Sequence, residues 1–234
     1  MLAQSSSLPR HGGLPSPGPS HCSHDTTYHC TTQRHETASC TAAQLGSNGR
    51  ISRYPVNATL RYFVDLDGFQ AKADGEYVAA CFEVATQAWS LGPVQFKRSF
   101  DRKDAFFSAV YSSDTPNDRT LAAAFFPNCP AESRMVKVFP LAFVFRDAMV
   151  NTFCHELGHV LGLRHEFAAH TEKDDPSVHW GFPNPESVMN YYNHPLEMAV
   201  HELDIALTNG LYAYEGNSLE GFPIDVVSPT SEPC

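Results

Sequence analysis

Residues 155–165 combine three histidines and a glutamate at a spacing that suits metal chemistry. Their order is His-Glu-Leu-Gly-His-Val-Leu-Gly-Leu-Arg-His, which fills every fixed position of the pattern H-E-x-x-H-x-x-G-x-x-H. On a helix, His155 and His159 lie on one face, one turn apart, so both imidazoles can reach one metal ion. Gly162 can end the helix and turn the chain back, which lets His165 approach the same ion.

This arrangement is typical of a catalytic metal site. Three protein ligands leave a fourth position for water, as in catalytic rather than structural zinc sites. Glu156 lies beside the first ligand, and its carboxylate can reach such a water as a general base. The alternative is that the histidines are ordinary polar residues of an amphipathic helix, the usual interpretation of a single histidine. The complete spacing favours the metal site, with Zn²⁺ as its cofactor.

The elements that must position these residues are predicted from periodicity and turn residues. A helix is expected at about 147–162, with Asp147 as its N-cap. Its apolar side would pack on a sheet. Upstream, the sequence predicts strands at 59–65, 94–97, 105–111 and 121–126. It also predicts a helix that ends at Gly92-Pro93 and whose apolar face is Val78, Cys81, Phe82, Ala85 and Trp89. A last helix is expected from about Leu196 to Tyr212, and it contains His201-Glu202-Leu203-Asp204-Ile205, which we interpret as ordinary helix surface.

The stretch from Met135 to Phe145 reads as a further extended segment. It contains Pro140, which cannot donate a ladder hydrogen bond, so an edge position is expected. Residues 136–143 are therefore the predicted edge with which a substrate strand would pair.

The first 50 residues differ from the rest in composition. They contain no Val, Ile or Phe, and are dominated by Ser, Thr, Pro, Gly and His. Such a segment buries too little apolar surface to offset its ordering entropy, so residues 1–50 are predicted to be a disordered, low-complexity tail. Cys22, His24, His29 and Cys30 could in principle hold zinc there, although their spacing fits no zinc-finger pattern. The folded domain is predicted at 51–234, divided into 51–162 and 163–234.

Composition limits the possible partners and compartments. The formal net charge of −10 argues against binding to a nucleic-acid backbone, and no apolar run is long enough to span a membrane. No signal peptide is visible at the N-terminus. The seven cysteines cannot all pair within one chain. Cys154 is expected to be a buried thiol or half of a disulfide.

These motifs resemble those of the metzincin metallopeptidases. That clan combines the extended zinc motif with a Met-turn, for which Ser187-Val188-Met189-Asn190-Tyr191 is the candidate. The turn and Glu166, directly after the third histidine, are similar to the astacin family. Leu121-Ala-Ala-Ala-Phe-Phe-Pro127 is similar to a matrixin strand beside the substrate cleft. The resemblance covers about residues 58–214.

The resemblance implies a fold, an activity and a role for each residue. The fold would be an α+β metzincin (zincin-like) catalytic domain, a twisted mixed sheet with an active-site helix and a C-terminal helix. His155, His159 and His165 would bind zinc, and Glu156 would act as the general base. Met189 would form the floor of the site. Tyr191 would stabilise the oxyanion, or Tyr192 if the turn is shifted by one residue.

Three hypotheses about function follow. The first is a zinc-dependent endopeptidase that hydrolyses an extended peptide or protein substrate, secreted by family resemblance and expected to be a monomer. The alternative is a catalytically inactive, metzincin-like protein that binds zinc and peptides, or an interaction module centred on the His/Cys-rich tail. Retention of Glu156 favours the enzyme.

Overall fold

The computed structural model describes residues 43–172 and 174–229. Within them the chain is mixed α+β, with one five-stranded sheet and two three-stranded sheets. The helices are α1 Lys72–Ala88, α2 Met149–Val160, α3 Ala168–Thr171 and α4 Glu202–Ala213. The strands are β1 Ala43–Leu45, β2 Ile51–Arg53, β3 Thr59–Val64, β4 Gln95–Arg98, β5 Phe107–Tyr111, β6 Ala122–Ala123, β7 Met135–Val138, β8 Leu163–Arg164, β9 Val178–Trp180, β10 Ser218–Leu219 and β11 Phe222–Val226.

The five-stranded sheet carries the larger part of the core. Its order is β4-β3-β5-β7-β6, with β4, β3, β5 and β7 parallel and β6 antiparallel to β7. Alternation along β3 buries Leu60, Tyr62 and Val64, as expected for a strand with one covered face. The predicted α+β class with a twisted mixed sheet is therefore confirmed.

Helix α1 joins this sheet to α2. It buries the predicted face, with Val78, Phe82 and Ala85 fully enclosed. The Phe82 ring lies 5.0 Å from Tyr62 of β3 and 5.0 Å from Phe153 of α2. One aromatic side chain thus contacts both the sheet and the helix that carries the zinc motif.

A hydrogen bond secures the other end of the α1–α2 contact. The Trp89 indole N–H donates to the carbonyl oxygen of Cys154 at 3.0 Å. Cys154 is a buried free thiol, and burial raises its pKa to about 12. The first of the two alternatives for this cysteine is therefore correct: it packs as a small apolar side chain.

Helix α2 begins and ends close to the predicted residues. Its N-cap is Ala148, without a side-chain cap, so the prediction of Asp147 as N-cap was wrong. Asp147 instead lies in a 3₁₀ turn, Arg146–Ala148, which comes directly before the first residue of α2. The C-terminal end follows the prediction, because Gly162 has a φ of +97° and turns the chain out of the helix.

The segment from Met135 to Phe145 differs from the prediction. Only Met135–Val138 is a strand, and Pro140–Phe143 is a 3₁₀ helix. Pro140 stands beyond the end of β7, so it does not interrupt a ladder. β7 lies between β5 and β6, and the outer strand on this side of the sheet is β6, Ala122–Ala123. The prediction that residues 136–143 form the edge was therefore wrong.

Residues 43–50 take part in the fold, although the composition placed them in the tail. β1, Ala43–Leu45, is the central strand of a sheet with the order β8-β1-β9. Backbone pairing to two strands from the second half of the chain orders this stretch. Strand β11 likewise returns to pair in parallel with β2.

Residues 1–42 lie outside the described residues, together with 173 and 230–234. The predicted disorder and possible metal binding of that N-terminal segment stay predictions. In the part of the chain that the structure describes, none of the helices is both long enough and apolar enough to cross a bilayer.

Replacing Gly162 with alanine should destabilise the protein by more than its backbone conformation alone explains. A left-handed φ costs a residue with a Cβ about 1–2 kcal/mol. At Gly162 the added Cβ would also lie 2.7 Å from the carbonyl oxygen of Ser52. The free energy of unfolding, measured by denaturant titration of chelator-treated protein, should fall by the sum of both effects.

Gly49→Ala is the matched control. Gly49 also has a positive φ, +72°, but no atom lies within 4 Å of its added Cβ. If the two variants lose equal stability, the close approach of the backbone at Gly162 has no energetic importance.

Candidate metal centre

The three histidines of the zinc motif converge in the interior. His155 and His159 project from α2, and His165 follows β8 directly. One ligand atom from each lies within 4.8 Å of those of the other two, and all three residues are at most 1% exposed. Three buried histidines at this separation could hold a metal ion.

Each ring is oriented through its Nδ1 atom. His155 Nδ1–H donates to the carbonyl oxygen of Val188 at 2.6 Å, and His159 Nδ1–H donates to that of Leu163 at 2.8 Å. A carbonyl oxygen can only accept, so Nδ1 carries the proton in both rings. Their Nε2 atoms consequently carry lone pairs.

His165 is oriented by a carboxylate. Its Nδ1 lies 2.8 Å from Oε1 of Glu172. Its Nε2 lies only 3.2 Å from Nε2 of His155. Two lone pairs this close repel each other unless a proton or a cation lies between them. Two ligands of one tetrahedral zinc ion are separated by about 3.3 Å, given zinc–nitrogen distances of about 2.0–2.1 Å. The donor set therefore fits a divalent metal ion.

The Met-turn residue Met189 packs directly beneath α2. It is 2% exposed, and a Cβ added to Gly158 would overlap its Sδ atom. Gly158 occupies one of the unspecified positions of the zinc motif. Its lack of a side chain is what lets the methionine reach the underside of the helix between the two histidines.

The two tyrosines after the turn point to different partners. The Tyr191 hydroxyl lies 3.2 Å from His165 Nε2. The Tyr192 hydroxyl donates to the carbonyl oxygen of Ser187 at 2.9 Å. Of the two phenols left open by the sequence, Tyr191 is the one that the fold brings to the histidines.

Glu156 and Glu166 are both buried at the site. Glu156 follows His155 on α2 and is 1% exposed. Glu166 is fully buried, and its Oε2 accepts a hydrogen bond from the backbone N–H of Asn184 at 3.1 Å. Glu166, the residue after the third histidine, is thereby bonded to the loop that leads into the candidate Met-turn.

Asp204 was interpreted from the sequence as helix surface, and this interpretation was wrong. Asp204 is 3% exposed, and its carboxylate accepts from Ser187 Oγ at 2.6 Å, Val188 N–H at 3.0 Å and His201 N–H at 2.8 Å. Burial raises the pKa of Asp204, and these hydrogen bonds oppose the shift. Since the Val188 carbonyl oxygen accepts from His155, α4 supports the candidate metal centre through this aspartate.

Glu172 and Arg164 were missed in the sequence. Arg164 fills an unspecified motif position, and Glu172 belongs to no pattern. In the structure both are buried, and Arg164 Nη2 donates to Glu172 Oε2 at 2.6 Å. Burial raises the pKa of Glu172 to about 7, and Arg164 opposes that rise. Their closeness in sequence to the metal motif could have marked these two ionisable residues as candidates. Only the fold, however, shows that their side chains form an ion pair.

Comparisons with known proteins give a limited result. No family model matches the chain, and no curated protein sequence matches it. Among solved structures it is similar to two of myroilysin, each with a TM-score of 0.49 and 11% identity. The similarity covers 70% of this chain and 96% of myroilysin in one, and 72% and 92% in the other. At this level of similarity no residue role is transferred to this chain.

Replacing Asp204 with alanine should destabilise the Met-turn. It leaves the Ser187 hydroxyl and two backbone N–H groups buried without their acceptor, and each such loss costs about 1–3 kcal/mol. The free energy of unfolding should fall by at least about 2 kcal/mol. Glu202→Ala, at an exposed position of the same helix, should cost less than about 1 kcal/mol. Equal losses would mean that Asp204 does not anchor the turn.

Proposed function

We propose that this chain is a zinc-dependent endopeptidase with a metzincin-like catalytic domain. The observation that carries the proposal is the convergence of His155, His159 and His165, with Nδ1 of each ring held by an oxygen and Glu156 buried on the same helix. Three neutral imidazoles are a donor set that suits zinc and leaves a position for a reacting molecule.

Zinc and Glu156 would share the activation of water. When bound, zinc supplies Lewis acidity, which lowers the pKa of water to about 7 and polarises a carbonyl group. Glu156 takes the proton of the attacking water and passes it to the leaving amine. Its burial beside His155 supports this role, because a carboxylate away from bulk solvent keeps the transferred proton within the site.

Tyr191 would act on the carbonyl oxygen of the substrate. Its hydroxyl lies 3.2 Å from Nε2 of His165, which places an O–H donor beside the metal ligands. A donor fixed where negative charge develops stabilises the transition state without reorganisation. The ring contacts His165 at 4.7 Å between centroids, so the phenol is held in place by packing.

The substrate would bind as an extended strand beside β6. Among the described residues β6 is one of the two outer strands of the five-stranded sheet, the other being β4. Shortly after it, Phe126 packs edge-on against His159, with 5.5 Å between ring centroids. A peptide paired with this strand would therefore pass close to the histidines. The segment is the one whose sequence is similar to the cleft strand of matrixins.

The purified protein should bind one zinc ion and hydrolyse casein or gelatin, and a zinc chelator should abolish the hydrolysis. Glu156→Gln should keep the zinc, because the three ligands are unchanged, and lower kcat by about 10²–10⁴-fold. Metal analysis and a peptide-release assay measure the two effects separately.

The outcomes of this experiment separate the alternatives. Glu186→Gln, which removes an exposed carboxylate from a nearby loop, is the control and should keep full activity. Turnover by the Glu156 variant at the parental rate would contradict the assignment of the base. Zinc binding without any hydrolysis would favour the inactive, peptide-binding alternative.

Tyr191→Phe should lower kcat by about 10²-fold or more with little change in KM, since a removed oxyanion donor acts mainly in the transition state. Tyr192→Phe is the matched variant, because the Tyr192 hydroxyl donates to the backbone carbonyl oxygens of Pro185 and Ser187. Steady-state kinetics on one fluorogenic peptide compare them. If Tyr192→Phe loses more activity than Tyr191→Phe, the roles of the two phenols are reversed.

A further inference from the structure

The third histidine differs from the other two in what holds it. His155 and His159 place Nδ1 on backbone carbonyl oxygens, whereas His165 places Nδ1 on the carboxylate of Glu172 at 2.8 Å. His165 also follows a short strand instead of lying on α2. Its orientation therefore depends on side chains to a greater degree than that of the two helical ligands.

Glu172 is brought to His165 by a tight local turn of the chain. It follows α3, and its backbone N–H donates to the carbonyl oxygen of Ala168 at 2.8 Å. Phe167, just before this helix, stacks on the His165 ring with 5.0 Å between centroids and an angle of 11°. The stacked ring restrains the plane of the imidazole, and the carboxylate fixes the direction of its Nδ1–H bond.

Arg164 holds the far side of the same carboxylate. Its Nη2 donates to Glu172 Oε2 at 2.6 Å, while Nη1 donates to the carbonyl oxygens of Gly46 at 2.8 Å and Asp175 at 2.6 Å. The side chains of Arg164 and Glu172 are only 1% and 4% exposed. Both carboxylate oxygens thus have separate cationic or N–H partners, and the carboxylate cannot rotate away from His165 without losing one of them.

We propose that Glu172, clamped by Arg164, is a positioning residue that sets the zinc affinity of the site through His165. A carboxylate on the remote N–H of a metal-binding histidine fixes the ring and makes the ligating nitrogen more basic, and loss of such a partner typically weakens metal binding 10- to 100-fold. The inference rests on the proposed zinc site and adds to it a determinant outside the H-E-x-x-H-x-x-G-x-x-H motif.

Glu172→Gln tests this role with zinc affinity as the readout. The amide keeps the size of the side chain but removes its charge, so the dissociation constant for zinc should rise about 10- to 100-fold in competition with a chromophoric chelator. Asp175→Asn is the matched control. It removes a carboxylate 3.5 Å from the same arginine, and its side chain does not bond His165 in this structure. This control should change zinc affinity less than about 3-fold.

A measurement on the unaltered, zinc-loaded protein covers the case in which Glu172→Gln does not fold. In the proton NMR spectrum the Nδ1–H of His165 should lie furthest downfield of the three ligand protons, because its acceptor is a carboxyl group and the other two acceptors are backbone carbonyl oxygens. Unchanged zinc affinity in a folded Glu172→Gln protein would overturn the inference, as would three equivalent Nδ1–H shifts. If the parent binds zinc but hydrolyses no peptide, the peptidase proposal fails and these two results still decide the role of Glu172.

Discussion

Each of the three imidazole rings holds Nδ1 against an oxygen, so Nε2 is the nitrogen left to meet a metal ion, and the candidate site depends on this constraint. His155 and His165 bring those nitrogens to 3.2 Å in a region without solvent exposure. Lone pairs at that distance repel, and water cannot relieve the repulsion by hydrating them. A cation bound between them would convert this contact into ligation, so the arrangement fits a metal centre.

The rings of His155 and His159 keep their positions because the carbonyl oxygens that accept from them belong to backbone held by further hydrogen bonds. Val188, which accepts from His155, is itself fixed by Asp204 of α4 through its N–H group. Leu163, which accepts from His159, lies in β8 and pairs with β1. The last helix and the first described strand, distant in sequence, therefore both support the histidine rings of α2. Preorganisation of this kind avoids a conformational cost when the metal binds.

Buried charged side chains lie beside the histidines. They contribute more to the orientation of the imidazole rings than to the free energy of folding. An ion pair such as Arg164–Glu172 loses hydration on burial, and this loss cancels much of its attraction. An apolar pair of similar size would serve the core equally well. The Glu172 carboxylate, however, lies 2.8 Å from Nδ1 of His165, so the pair also orients that ring, which an apolar pair could not do.

Local spacing along the chain was enough to predict several features of this protein. Helical periodicity placed His155 and His159 on one face, and Gly162 marked the turn, because both follow from backbone geometry over a few residues. The tertiary structure alone decided which strand is the edge, that Asp204 is buried and that Tyr191 rather than Tyr192 reaches the triad. Those outcomes depend on contacts between segments far apart in the chain, and a hydrogen bond such as that between Glu172 and His165 exists only once α3 has folded back on β8.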